Sequence, residues 1–303
     1  MSTERGTQTL REVWRSGAAR LRQAGVEEAD ADAELLLLYL LGIGKTEWLR
    51  DMREPFPVEK LEVWESLLAR REKGVPVQYV VGDQHFYGRA FEVTEAVLIP
   101  RPETELLAEA VLRIGDELFG PNGQGGSCPV VLDVGTGSGA LSVTLAAERP
   151  TWRVIASDLS EDALAVARRN ASKLGVGGKL AFVQGDLLTP FMVNGPGSDV
   201  EIDILVSNPP YIPSADIEGL QREVRDYEPR LALDGGEDGL NPYRAMAGQL
   251  TALKRLPRLV AWEVGAGQAA DVAGLLRTAA NWDDVYCVKD YAGIDRHVIA
   301  LCK

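Results

Sequence analysis

The run Val130-Val131-Leu132-Asp133-Val134-Gly135-Thr136-Gly137-Ser138-Gly139-Ala140-Leu141 constrains the fold of this chain more than any other segment. It reads as a buried strand that passes through a glycine loop into an apolar helix. Glycines there take up φ values that a side chain forbids and let the backbone come close to a ligand. Strand, glycine loop and helix in that order make a nucleotide-binding turn at the start of an α/β sheet. The kind of nucleotide stays open at this point. Gly135, Gly137 and Ala140 also satisfy the degenerate dinucleotide pattern of dehydrogenases, and an acid about twenty residues further on suits a ribose in either case.

That acid is Asp158, at the end of a second strand, Val154-Ile155-Ala156-Ser157-Asp158. A third strand, Leu180-Ala181-Phe182-Val183-Gln184, ends at Gly185-Asp186-Leu187, and a fourth, Ile202-Asp203-Ile204-Leu205-Val206-Ser207, ends at Asn208-Pro209-Pro210-Tyr211. The polar strand ends and the glycine loop are thus expected together at the carboxyl edge of one parallel sheet, the usual ligand crevice of open α/β folds. The last turn has the chemistry of a methyl-acceptor site. A planar amide or ring-amine nitrogen is a poor nucleophile, because its lone pair is delocalised, and it must be held by acceptors as it pyramidalises. Asn208 offers a side-chain carbonyl and Pro209 a main-chain one. Prolines at 209 and 210 remove two backbone donors and fix φ, so the turn is stiff. Tyr211 supplies a flat face for a planar group.

The first 75 residues differ in texture, with helical periodicity and no glycine loop. Leu10, Val13, Trp14 and Leu21 recur at helical spacing, Ala33 to Leu41 is strongly apolar and stops at Gly42, and Val58, Leu61, Trp64, Leu67 and Leu68 trace one face after Pro57. We expect a separate helical domain over 1–75, a β-hairpin linker over 76–100 and the sheet domain over 101–303. In the linker, Gln78-Tyr79-Val80-Val81-Gly82 and Phe86-Tyr87-Gly88-Arg89-Ala90-Phe91-Glu92-Val93 both read as strands. Gly120 to Gly126 is expected to be a surface loop. The net charge of −13 disfavours non-specific binding to nucleic acid. Cys128, Cys287 and Cys302 are too far apart for a Cys-x-x-Cys metal site, and with only His85 and His297 a histidine-rich metal centre is not expected. Cysteine usage suits a reducing cytoplasm, no apolar stretch reaches membrane-spanning length, and Met1-Ser2-Thr3-Glu4 lacks a secretory apolar region.

Asp133, Asp158, Asp186 and the Asn-Pro-Pro-Tyr turn, in that order, resemble the class I S-adenosylmethionine-dependent methyltransferases, and this breaks the tie with the dehydrogenases. The resemblance implies a Rossmann-like α/β sheet in which Gly135, Thr136, Gly137, Ser138 and Gly139 border the methionine part of S-adenosyl-L-methionine, Asp158 binds its ribose, and Asp186 with Leu187 meets the adenine. Asn208 would touch both cofactor and substrate, and Asp133 would orient the glycine loop. Narrower still, Val97-Leu98-Ile99-Pro100-Arg101-Pro102-Glu103-Thr104-Glu105, Tyr227-Glu228-Pro229-Arg230, Glu263-Val264-Gly265 with Gln268, and Lys289-Asp290-Tyr291-Ala292-Gly293-Ile294-Asp295-Arg296 resemble the glutamine N5-methyltransferases of peptide chain release factors. That family implies Asn208, Pro209, Pro210 and Tyr211 as the catalytic turn, no metal, S-adenosyl-L-homocysteine as by-product and a release-factor Gly-Gly-Gln loop as acceptor. It also implies a helical leader that recognises the protein substrate, with Arg101 and Thr104 at the cofactor or substrate entrance. The alternatives are a glutamine methyltransferase of a ribosomal protein, a nucleic-acid amino-methyltransferase, which should show a basic reading surface, and a non-catalytic cofactor-binding protein.

Overall fold

The computed structural model describes residues 8–120 and 128–303 and divides into two units. The expected loop Gly120 to Gly126 lies, apart from Gly120, outside the described residues, as do residues 1–7.

The first unit comprises the described residues up to Asp83 together with Gln221–Tyr227. Its helices are α1 (Leu10–Gln23), α2 (Ala29–Leu41), α3 (Lys45–Asp51), α4 (Leu61–Glu72) and α5 (Val77–Val81), joined by α9 (Arg222–Tyr227) from far along the chain. Thr9 caps α1 reciprocally: its hydroxyl accepts from the Glu12 N–H, while the Glu12 carboxylate accepts from the Thr9 N–H at 2.8 Å. Leu21, Ala33, Leu36, Leu37, Trp64 and Leu68 bury the facing stripes of α1, α2 and α4. Arg71 is buried among them and donates to Asp32 at 2.6 Å and to Glu223 of α9 at 2.5 Å.

Contrary to the sequence expectation, the segment Gln78-Tyr79-Val80-Val81-Gly82 is not a strand; Val77–Val81 forms α5. A short apolar run does not by itself distinguish a strand from a buried helical turn. Pro76 directly before α5 and Gly82 in the left-handed conformation after it decide for the helix, which buries Val77, Tyr79, Val80 and Val81. The hairpin consists of β1 (Asp83–Phe86) and β2 (Arg89–Glu92) instead. Its two turn residues, Tyr87 and Gly88, have φ of 49° and 72°, the sign that a tight hairpin with right-handed strand twist requires.

The second unit carries a seven-stranded sheet in the order β5-β4-β3-β6-β7-β9-β8. Its strands are β3 (Val130–Val134), β4 (Arg153–Asp158), β5 (Leu180–Gln184), β6 (Ile204–Ser207), β7 (Leu259–Glu263), β8 (Asp284–Lys289) and β9 (Asp295–Leu301). The first five are parallel, and β9 runs antiparallel to both β7 and β8. β3, β6 and β7 are buried throughout, as expected for strands covered on both faces. One core layer includes residues of α6 (Pro102–Phe119) and α7 (Ala140–Glu148), the other residues of α10 (Asn241–Gln249) and α11 (Ala269–Ala279). α8 (Glu161–Lys173) packs on β4 and β5. The chain runs outward from β3 through β4 to β5, then returns to place β6 on the other side of β3. That reversal opens a crevice at the carboxyl ends of β3 and β6.

Candidate active site

The glycine loop leaves β3 with Gly135, Gly137 and Gly139 at φ of 71°, 56° and 82°. Gly137 shows why a side chain is not used: at that positive φ its N–H turns to donate to Asp158 Oδ2 at 2.9 Å. The other Asp158 oxygen accepts from the Ser160 N–H at 2.9 Å, and the Ser160 hydroxyl in turn caps α8. Each carboxylate oxygen keeps a second lone pair for a ligand hydroxyl. Below the loop, Asp133 Oδ2 accepts from the Thr136 hydroxyl at 2.7 Å and from the Ser142 N–H at 3.1 Å, which ties the loop to the first turn of α7. Burial pushes the Asp133 carboxyl up to about 6 against these donors, and burial also raises Asp158.

These strand ends border a cavity of about 420 Å³, within the usual size range of small-molecule sites. Of the residues singled out in the sequence, Gly135, Thr136, Gly137, Ser138, Asp158, Asp186, Leu187, Asn208 and Pro210 line it, together with Arg101 and Thr104. Gly139, Pro209 and Tyr211 are not on its wall. Gly139 caps α7, where a Cβ would come within 3.2 Å of Ala167. Leu187 holds a φ of 49°, an uncommon conformation for a non-glycine residue and a recurrent one at ligand sites.

The Asn-Pro-Pro-Tyr turn is held from both sides. Ile212 and Gly235 exchange main-chain bonds with one another's segments, the Ile212 N–H donating to Leu233 at 3.0 Å and the Gly235 N–H to Ile212 at 2.8 Å. The Tyr211 carbonyl accepts from Gln268 Nε2 at 2.9 Å, while Gln268 Oε1 accepts from the Gly265 N–H at 2.9 Å. A Cβ on Gly239 would lie 2.2 Å from the Tyr211 carbonyl oxygen, so only glycine fits. Burial, and after it the Glu263 charge, pushes the Tyr211 hydroxyl up to about 12. Asn208 Nδ2 donates to the Thr104 hydroxyl at 3.1 Å, and Thr104 donates to Glu263 Oε2 at 2.7 Å.

Two features of the wall emerge only in three dimensions. Arg101 pairs with Glu228 at 2.6 Å, and Glu228 also accepts from the Ile99 N–H, so the segment before α6 is closed against the segment after the turn. Both residues sit in the family motifs named above, and their opposite charges are the one sequence signal of the pairing. Glu263 belongs to another of those motifs, but its place beside Asn208 depends on β7 pairing with β6. Among the described residues no cluster of His, Cys, Asp and Glu could hold a metal ion.

A glycine loop, an acid at the next strand end and an acceptor turn beyond the sheet reversal define a class I methyltransferase domain, and the comparisons agree. Residues 131–227 match the family model described as a methyltransferase domain, and residues 12–82 match that of the PrmC N-terminal domain. The hMettl16 catalytic domain, solved in complex with MAT2A 3'UTR hairpin 6, shares the fold at 14% identity and a TM-score of 0.53, over 81% of this chain and 82% of that one. Curated relatives go further. Proteins named release factor glutamine methyltransferase are 41% identical in Bacillus anthracis (88% of this chain, 90% of the relative), 40% in Chlorobaculum tepidum (96% and 97%) and 40% in Bacillus subtilis (97% and 98%). The chain belongs to the release factor glutamine methyltransferase family.

Proposed function

We propose that this protein transfers the methyl group of S-adenosylmethionine to the side-chain amide nitrogen (N5) of the glutamine in the Gly-Gly-Gln motif of peptide chain release factors. The observation that carries the mechanism is the orientation of Asn208. Its NH₂ end is taken by Thr104, which leaves Oδ1 with no donor among the described residues, in a residue that lines the cavity.

The residues present suit the cofactor. Gly135 and Gly137 have open space where a Cβ would stand, Asp158 offers lone pairs for ribose hydroxyls, and Asp186 and Leu187 offer a polar and an apolar contact for adenine. When bound, S-adenosylmethionine supplies an electrophilic methyl on a sulfonium, so the protein contributes positioning and electrostatics. Asn208 Oδ1, with the Pro209 carbonyl next to it behind the cavity wall, would hold the two amide protons of the substrate glutamine and so favour a pyramidal nitrogen with its lone pair free to react. The bonds from Gln268 and Gly235 keep the turn from yielding as that geometry forms. Tyr211, beside the cavity and not on its wall, is held neutral and would offer its ring to the amide from the turn. The methylated nitrogen would shed one of its two protons to water, S-adenosylhomocysteine being the leaving group, and no covalent enzyme intermediate is required. The helical unit is assigned the recognition of the intact protein substrate, with exposed Leu35, Tyr39 and Leu49 as its apolar surface.

Asn208→Ala tests this reading. It removes the side-chain acceptor and leaves strand and prolines in place. Single-turnover methylation of a release factor at saturating cofactor should slow about 10²–10³-fold, the usual effect of losing one preorganised polar group at a reacting centre. A folded variant that keeps the wild-type rate would sink the mechanism. Parallel assays with a ribosomal protein and with RNA separate the alternative substrates.

A further inference from the structure

Glu263 is 2% exposed, carries a carboxyl group next to the reaction site and takes no part in the mechanism above. Its partner Thr104 has one hydroxyl proton and two neighbours, Glu263 Oε2 at 2.7 Å and Asn208 Nδ2 at 3.1 Å. An ionised Glu263 can only accept, so the hydroxyl proton goes to it. The Thr104 oxygen can then only accept from Asn208, which selects the NH₂ end of that amide. With a proton on Glu263 the chain can run in reverse: Glu263 donates to Thr104, Thr104 donates toward Asn208, and the matching end of the amide becomes its oxygen.

We propose that Glu263, acting through Thr104, is a positioning residue that sets which end of the Asn208 amide faces the methyl acceptor. The inference rests on the reading of Asn208 as the acceptor of the substrate N–H. With Glu263 ionised, Oδ1 is presented and can hold the substrate; with Glu263 protonated, NH₂ is presented and meets substrate N–H groups donor against donor. Every element around Glu263 contributes a group to its environment: Glu103 and Thr104 from α6, Asn208 and Tyr211 from the turn, Tyr243 from α10, and Arg296 and His297 from β9. Burial dominates, with Glu103 adding to it, and pushes the carboxyl up to about 7 despite Thr104, Arg296 and Asn208. His297 is driven down to about 4 by burial and stays neutral near pH 7, with Nε2 3.1 Å from the Glu103 carbonyl. The Tyr243 hydroxyl donates to the Glu263 main-chain carbonyl at 2.6 Å and fixes the backbone from which the carboxyl projects.

The test is a double-mutant cycle in the full-length protein, read by single-turnover methylation of a release factor, with cofactor affinity and melting curves alongside. Thr104→Val keeps shape and deletes the hydroxyl; it should slow transfer about 10–10²-fold, less than loss of Asn208 itself. Thr104→Ser should recover most of that rate. In an Asn208→Ala background Thr104→Val should cost nothing further, because its effect passes through the missing amide. The wild-type rate should fall as pH drops through about 7, and Glu263→Gln, which has no titrating group, should lose that limb. Full rate in folded T104V, or equal slowing with and without Asn208, overturns the inference while leaving the methyl-transfer reading intact. If T104V does not fold, the E263Q profile decides, and an unchanged limb overturns the proposal. A full rate in N208A removes the acceptor reading itself.

Discussion

Buried carboxylates occur in both units, but their company differs. In the helical unit Asp32 faces Arg71, which also holds Glu223, so buried negative charge meets a guanidinium at hydrogen-bonding distance. In the sheet unit Asp133 and Asp158 are held by hydroxyl and main-chain N–H donors, and Glu263 by the Thr104 hydroxyl. A charge paired with a cation locks a structure, whereas a charge held only by weaker donors stays responsive to a ligand or a proton. By that difference we assign Arg71 to folding and propose that Asp158 and Glu263 act at the site, with Asp133 holding the glycine loop. Glu228 refines the contrast, because that acid is also paired with an arginine and closes the cavity wall.

The largest effect is expected at Arg71. Arg71→Ala leaves Asp32 buried without its partner and should cost about 3–5 kcal/mol of stability in denaturant unfolding, with cofactor affinity unchanged while the protein is folded. A stable R71A variant with weakened cofactor binding would reveal a functional group in place of a structural one.

Next comes pH. Glu263 holds its proton to about pH 7 and Asp133 to about pH 6 when folded, against ordinary values of 4.5 and 3.8. Between those limits the folded state binds more protons than the unfolded one. Stability from these groups is therefore fully present below the unfolded values and is lost as pH rises through about 6 and 7. Glu263→Gln should flatten the unfolding free energy between about pH 4.5 and 7 by an amount on the order of 3 kcal/mol. An identical pH slope in that variant would show that Glu263 is not perturbed.

Asp158→Ala should weaken cofactor binding by about 1.5–3 kcal/mol in calorimetry, the range for hydrogen bonds to a charged group. Loss of its bond to the Gly137 N–H adds to the effect on the loop. Unchanged affinity would limit Asp158 to holding the Gly137 and Ser160 N–H groups. The smallest effect lies on the helical surface: Tyr39→Ala should raise KM for the intact release factor a few-fold and leave a short Gly-Gly-Gln peptide unaffected. Equal changes for both would remove the recognition role from that face.

Strands β3 to β6 and the cavity residues Asp158 and Asp186 were legible because each of those strand ends carries its signal within a few residues, an apolar run and then Gly or a polar residue, whereas β7, β8 and β9 were not read as strands. The same locality explains the misreading at residues 78–82, where a five-residue apolar turn lacks the length to reveal its period and Pro76 with Gly82 decided the outcome. Couplings across the sheet were not legible. Thr104 and Glu263 are 159 positions apart, and Arg101 and Glu228 are 127 apart; only the tertiary fold brings each pair together. Nor did the motif show that α9, so soon after the Asn-Pro-Pro-Tyr turn, would supply Glu223 to the helical unit.

Transfer itself is the most direct test. A purified release factor is incubated with the protein and labelled S-adenosylmethionine, then mapped by peptide mass spectrometry. The expected result is a single added methyl on the glutamine of the Gly-Gly-Gln motif, formed by the wild type and largely missing with Asn208→Ala over the same interval. Label recovered on a ribosomal protein or on RNA but not on that glutamine, from a wild-type protein that binds the cofactor, would refute the proposed function.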